Sequence, residues 1–354
     1  MKSGFSDIPA SVFAAVLLAL GMHGASAQIV DRDWSEPFLL SNPEAKVERG
    51  VLAVDTQGRV HSAWVERFNS NVVFVIQYAV FDGRTWSSPV ELHRNANLAK
   101  IGSFDITVDS LDNVYVAWTE AVTESVVGYK PIDAPAYFMT ASAASSLDAS
   151  KWSSPRVIPV KALFQYFRVA GDGTLHIVYT NLYSAQSGVY HSSSADGGTT
   201  WSEPIRVHSS VPAGYKAAQN QFEIDGNGGL HVAWEYKDEN TWISTAIAYA
   251  RSTDGGKTWS ETTMLDQAGS NPYLVQFGTP NLAVHGSKVS VVWSGGGFAN
   301  VGRRFRESSD GGVTWGAVEQ LFGDLHGWVD AWGLRYDADG VLHFLDLLRW
   351  PQGI

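Results

Sequence analysis

Eight residues, written three times, limit what this chain of 354 residues can fold into more than any other feature. Ser194-Ala-Asp196-Gly197-Gly198-Thr-Thr200-Trp201 recurs as Ser252-Thr-Asp254-Gly255-Gly256-Lys-Thr258-Trp259. It recurs again as Ser308-Ser-Asp310-Gly311-Gly312-Val-Thr314-Trp315. The pattern S-x-D-G-G-x-T-W predicts a tight turn between two strands. Paired glycines supply positive φ angles without steric cost, and the Asp carboxylate accepts N–H bonds inside its own turn. The Trp opens the next strand and offers a large apolar surface to lock the hairpin onto its neighbours. Weaker copies stand upstream at Asp82-Gly83-Arg-Thr85-Trp86, at Ser146-Leu-Asp148 to Trp152, and at Asp33-Trp34.

A second signature runs between these turns. Gly58-Arg-Val-His61-Ser-Ala-Trp64 is matched around Tyr115, His176, His231, Ser290 and His343, in steps of 54, 61, 55, 59 and 53 residues. A period of this size in short β-rich units means a propeller or solenoid. The Gly, Trp and β-branched content, with no long 3.6-period segment, excludes helical repeats. Each unit reads as four strands, in the first unit Val51–Asp55, Val60–Val65, Val73–Phe81 and Ser87–Leu92. The fold class expected is therefore all-β, a six-bladed β-propeller. The recurring His appears once per blade, so its copies are carried apart and read as structural. The N-terminal Asp33-Trp34 segment should join Leu334–Tyr336 and Leu342–Leu347 in one shared closing blade. That blade lacks a third strand and a turn motif, which points to residues missing after Ile354.

The repeated turn resembles the Asp-box, or BNR repeat, of the sialidase superfamily. The resemblance implies that the boxes are scaffold on one rim and that any site lies on the opposite face, where the longest loops, Thr119–Ala136, Ser209–Gln221 and Gln267–Pro280, are expected. It also implies three Arg around a substrate carboxylate, a Tyr nucleophile paired with Glu, and an Asp acid/base. The family's F-R-I-P motif is absent; the nearest text is Pro37-Phe38-Leu39-Leu40. No catalytic residue transfers by motif.

The address is legible at the N-terminus. Lys2, the apolar run Val12–Met22 and Ala25-Ser26-Ala27 form the pattern of a cleavable signal peptide over residues 1–27, leaving residues 28–354 as the propeller. The run is too short to span a bilayer, so a secreted or periplasmic protein is expected, and a monomer. There is no cysteine to staple it. The formal charge of −11 argues against nucleic acid as a partner. The partner expected is a glycan or glycoconjugate, with a protein as the alternative. No metal or cofactor motif is present.

The candidate chemistry lies at second-strand ends, where an acid stands beside a Trp: Trp64-Val-Glu66-Arg67, Trp118-Thr-Glu120 and Trp234-Glu235-Tyr236. Aromatic faces with carboxylates suit a sugar, and two carboxyls can divide acid and base work. Glu235, Tyr236, Glu66 and Glu120 are the catalytic candidates, although adjacent Glu235 and Tyr236 point to opposite faces if the strand continues. Arg67, Arg303, Arg304 and Trp242 are the substrate-binding candidates, and Arg49 is a further loop-face arginine. Two readings stay open: a sialidase-like glycoside hydrolase with a diverged site, and a non-catalytic glycan- or protein-binding propeller. Ser294-Gly-Gly-Gly297 reads as a loop, and Asp337-Ala-Asp339-Gly340 as a turn rather than a calcium loop.

Overall fold

A computed structural model describes residues 18–20, 38–68, 73–95, 99–122, 134–182, 187–208, 211–268, 276–278, 280–296, 302–321 and 332–346. Among these, every named element except one 3-10 turn, Ala149–Lys151, is a β-strand, and the strands form six antiparallel sheets. Sheet I runs Lys46–Val54, Val60–Phe68, Val73–Phe81, Val90–Arg94, and sheet II runs Ala99–Val108, Asn113–Val122, Ala134–Ser142, Arg156–Ala162. Sheet III comprises Phe164–Val169, Leu175–Asn181, Gly188–Ser194 and Ile205–Arg206, and sheet IV Tyr215–Ile224, Leu230–Asp238, Ser244–Ser252 and Thr263–Gln267. In sheet V, Gln276–Phe277 and Asn281–His285 both pair with Lys288–Gly296, followed by Gly302–Ser308 and Glu319–Leu321. Sheet VI holds Trp332–Tyr336 and Leu342–Asp346, with Leu18–Leu20 paired to the latter. Those three residues fall inside the segment expected as a leader. The expected closing segment at Asp33-Trp34 lies outside the described residues.

Two expected loops are shorter than foreseen. Tyr215–Ile224 occupies most of the excursion placed at 209–221, and Lys288–Gly296 carries Ser294 to Gly296 as strand.

Sheets II to V are covered on both faces by their neighbours, so their inner strands read as continuous apolar runs rather than alternations. Core clusters lie between successive sheets: Val65, Tyr78 and Trp118 between I and II, Phe138, Phe167 and Ile177 between II and III, Val178, Phe222 and Trp234 between III and IV. Two more lie between IV and V, and between V and VI. The first strands pack one on the next in chain order.

The box turns have the chemistry their sequence demands. Thr258 donates its N–H to Asp254 Oδ1 (2.9 Å) and its hydroxyl to Oδ2 (2.5 Å), and Ser252 Oγ donates to Oδ1 (2.7 Å) while accepting from the N–H of Gly256 (2.9 Å). The bonds from Thr258 hold the Asp254 carboxyl down at about 2. The turns at Asp196 and Asp310 repeat this set.

The second glycine of each box has a further role. A Cβ on Gly198 would strike Phe138, one on Gly256 would strike His191, and one on Gly312 would strike Tyr249. Each of these rings belongs to the third strand of the preceding sheet, and each also meets the box Trp. Ring centroids are 6.3 Å apart for Phe138–Trp201, 5.7 Å for His191–Trp259 and 4.8 Å for Tyr249–Trp315. Tyr78 meets Trp152 in the same way at 5.2 Å and donates to Ser146 Oγ (2.8 Å), although that weak copy has no glycines. The box is thus a socket for the neighbouring sheet.

The second signature is the other half of this joint. Asp55 Oδ1 accepts from the N–H groups of Gln57 and Arg59 and its Oδ2 meets His61 Nε2 at 3.1 Å, while His61 Nδ1 meets the Tyr78 hydroxyl. Asp225, His231 and Tyr249 repeat the relay, and Asp337–His343 repeats its first step. Sheet III departs from it. There His191 stands in the Tyr position, stacked on His176 at 5.2 Å with Nδ1 to Nε2 at 2.9 Å.

Candidate active site

Two of the three acids beside tryptophans, Glu66 and Glu120, brace the tryptophan. Glu66 Oε1 accepts from Trp64 Nε1 (3.0 Å) and from the N–H of Asn42 (2.8 Å), and it is buried. Glu120 Oε2 accepts from Trp118 Nε1 (3.1 Å) and meets His93 Nε2 at 3.0 Å. Burial works to raise the Glu120 carboxyl, but the His93 and Trp118 bonds outweigh it and hold it low. Trp64, Trp118 and Trp234 are all buried, so none offers a face to a sugar.

Glu235 and Tyr236 are not brought together. Tyr236 packs with Trp234 in the core between sheets III and IV, whereas neighbouring Ala233 lies in the core between IV and V. Glu235 therefore sits on the opposite face of its strand, paired with Lys237 Nζ at 2.9 Å. Burial raises both groups, with Lys237 opposing the rise at Glu235. This pair lacks the geometry of a nucleophile and its base.

The arginine candidates are also dispersed. Arg67 pairs with Glu48 (3.0 Å) on sheet I, and Arg304 pairs with Asp266 (2.7 Å), which also accepts from Trp293 Nε1 (3.2 Å). Arg303 is buried on the other face of that strand, with Nη1 donating to the Gly302 carbonyl (3.3 Å). Trp242 lies exposed on the hairpin after Asp238.

Charged side chains from separate sheets do converge elsewhere, on the first strands. Arg168 of sheet III forks onto Glu223 of sheet IV, Nη2 to Oε1 at 2.9 Å and Nε to Oε2 at 3.2 Å, and its Nη1 donates to Asp105 Oδ2 of sheet II at 2.7 Å. Arg335 of sheet VI reaches the same Glu223 Oε1 at 2.8 Å, although sheet V stands between in the chain. Gln221 Nε2 donates to the Tyr166 hydroxyl (2.5 Å), and the Arg168 guanidinium lies 5.7 Å from the Tyr166 ring centre.

The cluster has a defined electrostatic character. Burial, together with the charge of Asp105, pushes the Tyr166 phenol up to about 12, against the charges of Arg168, Arg335 and Arg49. Burial also raises Asp105, with Arg168 opposing. Glu223 goes the other way, because Arg168 and Arg335 outweigh its burial. Arg168 and Arg335 are met here by Asp105 and Glu223, and the charge of Arg49 is also felt at Tyr166. Two carboxyls driven in opposite directions are also what acid–base chemistry requires. Here, however, a guanidinium stands between them, and the Tyr166 hydroxyl meets an amide rather than a carboxylate.

Of these residues the sequence singled out only Arg49. The signal was available. Arg168, Glu223 and Arg335 each stand eight positions before the shared residues His176, His231 and His343, and each is paired in register with that residue. Tyr166 and Gln221 stand two positions earlier in the same strands.

Compared by sequence, the chain matches no family model and no curated protein. Compared by structure, it is similar to the intramolecular trans-sialidase from Ruminococcus gnavus, at 13% identity and a TM-score of 0.54, covering 85% of this chain and 90% of that one. It is similar also to an ulvan lyase, a polysaccharide lyase, at 10% identity and a TM-score of 0.56, covering 84% and 74%. A third similar structure is the α-L-arabinofuranosidase from Fusarium graminearum, at 10% identity and a TM-score of 0.54, covering 95% and 98%. Three different reactions on one scaffold leave the reaction to the site; what this chain shares with all three is a sialidase-like, all-β fold.

Proposed function

We propose that this chain is an exported, six-bladed Asp-box propeller of the sialidase superfamily that binds glycans through its first-strand cluster. The observation carrying this reading is the convergence of Arg168 and Arg335 on Glu223, with Asp105 and the Tyr166 ring beside Arg168, in a protein of overall negative charge. Guanidiniums in that arrangement recognise a carboxylate or sulfate on a sugar by charge-assisted bonds. Removal of residues 1–27 would free the edge now paired with Leu18–Leu20 for the closing segment at Asp33-Trp34. Closure would also cover Leu52 and Val54, which are exposed on sheet I.

A second reading, a glycoside hydrolase with a diverged site, is favoured by the opposite displacements of Asp105 and Glu223. The two are separated by one experiment. The purified protein is given a fluorogenic sialoside and an array of sialylated, uronate-bearing and neutral oligosaccharides, beside Arg335→Ala. Binding of acidic glycans without turnover, weakened in the variant, supports the binding propeller. Turnover lost in the variant supports the hydrolase. A parent that neither binds nor cleaves any glycan overturns both.

A further inference from the structure

Asn227-Gly228 is the one place in the sequence where glycine follows asparagine. The pairing matters chemically, because a main-chain nitrogen with no side chain beside it can reach the carboxamide carbon of the residue before it. The pair lies exposed in the turn between the first and second strands of sheet IV. Its main chain is held there. Asp225 Oδ1 accepts from the N–H groups of Asn227 (2.8 Å) and Gly229 (2.8 Å), and the Asp225 carbonyl accepts from the N–H of Gly228 (3.0 Å). The Asn227 carboxamide takes no part in these bonds.

The other described asparagines are shielded from such an attack. Asn95, Asn220 and Asn281 are buried, and the rest precede proline, valine, leucine or threonine. The box aspartates also precede glycine, but their threonine and serine donors hold those carboxyls ionised, and a carboxylate is a poor electrophile.

We propose that Asn227 is a site of spontaneous deamidation, and that the product decides whether sheets IV and V stay joined. The Gly228 nitrogen bonds to Asn227 Cγ, the side-chain nitrogen leaves as ammonia carrying the Gly228 proton, and a five-membered succinimide remains. Water then opens the ring at either carbonyl, giving aspartate or isoaspartate. The Gly228 bond to the Asp225 carbonyl must be given up first, so the folded turn slows the step without stopping it. Aspartate keeps the main chain, and sheets III and VI already carry it here, as Asp172-Gly173 and Asp339-Gly340, with the same bond from the glycine N–H. Isoaspartate routes the chain through Cβ, one carbon longer, and draws the turn off Asp225. Asp225 Oδ2 meets His231 Nε2 at 3.1 Å, and His231 Nδ1 meets the Tyr249 hydroxyl at 2.6 Å, so isoaspartate loosens the joint that Tyr249 makes with the next sheet.

The test holds the full chain at mildly alkaline pH, in buffer and in urea, and follows every asparagine by peptide mass mapping, beside Asn227→Gln and Asn227→Asp. Sheet I carries glutamine at this turn position, as Gln57-Gly58, so Asn227→Gln should fold as the parent does, and its longer side chain closes a ring far more slowly. In buffer the peptide with residue 227 should be the first to exchange NH2 for OH, and it should do so faster in urea and not in Asn227→Gln. An isoaspartate-specific methyltransferase should label it. The labelled fraction should melt below the parent, and Asn227→Asp should melt with the parent. A peptide unchanged in buffer over the time in which the urea sample converts would show that the turn protects Asn227, and overturns the site. Conversion of another asparagine first overturns it too. An isoaspartyl fraction as stable as the parent overturns the link to the joint.

Discussion

The Tyr249 ring stands edge-on to Trp315 at 4.8 Å and 72°, and its hydroxyl end fills the space that a side chain at residue 312, a glycine, would need. Tyr249 is in the third strand of sheet IV and Trp315 follows the box of sheet V. The box that looks like a hairpin turn in isolation is therefore also the joint between sheets, and its two glycines are not equivalent.

Gly311→Ala and Gly312→Ala should differ sharply for this reason. Both positions have positive φ, 69° and 83°, and an alanine at either costs about 1 kcal/mol or slightly more in backbone strain. At Gly312 the methyl also meets the Tyr249 ring, which adds about 1–3 kcal/mol of overpacking. Midpoints of urea denaturation measure the gap. Equal costs at the two positions would show that the joint does not depend on the glycine.

The His176–His191 pair should make the protein sensitive to mild acid. Burial lowers His176 to about 4 and His191 to about 3 from an ordinary value of 6.5. The unfolded chain then binds more protons than the folded one below 6.5, so the stability held above that value is lost as pH falls from 6.5 towards 4 and below. The slope approaches about 1.4 kcal/mol per pH unit for each histidine. His191→Tyr restores the residue that sheets I and IV carry at this position, and His176 can then bond its hydroxyl as His231 bonds Tyr249. Thermal midpoints between pH 7 and 4 should fall less steeply in that variant. An unchanged slope would mean that other groups titrate first.

Removing Arg168 should be the most damaging single change in the first-strand cluster. It would leave Asp105 without its cation and Glu223 with Arg335 alone. Breaking a buried pair from one side costs about 3–5 kcal/mol. The deficit of Arg168→Met should also depend on pH. Asp105, already raised by burial, rises further once Arg168 no longer opposes it, so the folded state takes up its proton more readily than the unfolded chain and part of the lost stability returns as pH falls. A deficit that is constant with pH would show that packing, rather than charge, was lost.

Tyr236→Phe and Glu235→Gln should leave glycan binding, and any turnover, at the level of the parent. Tyr236 lies in the core between sheets III and IV and Glu235 on the other face of its strand. A loss of function without loss of stability in Tyr236→Phe would restore it as a reacting group.

How much was legible in advance depended on the range of the interaction. The Asp254 turn closes within seven residues, Ser252 to Thr258, and all its donors and acceptors are local. Asp55 likewise caps a turn whose partners end at His61. Such features follow from backbone chemistry and are written in the order of residues. The acid–tryptophan pairs misled because residues two apart on a strand share a face, so Glu66 satisfies the Trp64 indole before any ligand could.

The sequence alone determined an all-β chain of repeated strand units and the Asp-Gly corners within them, because those depend on bonds reaching a few residues. It could not decide that Arg168 meets Glu223, 55 positions away, or that Arg335 arrives from beyond sheet V. Those meetings follow from how the first strands pack at one level against each other. Trp242 shows the same division: a hairpin could be read from the text, but its left-handed backbone and the lysine behind its ring exist only once sheet IV is assembled.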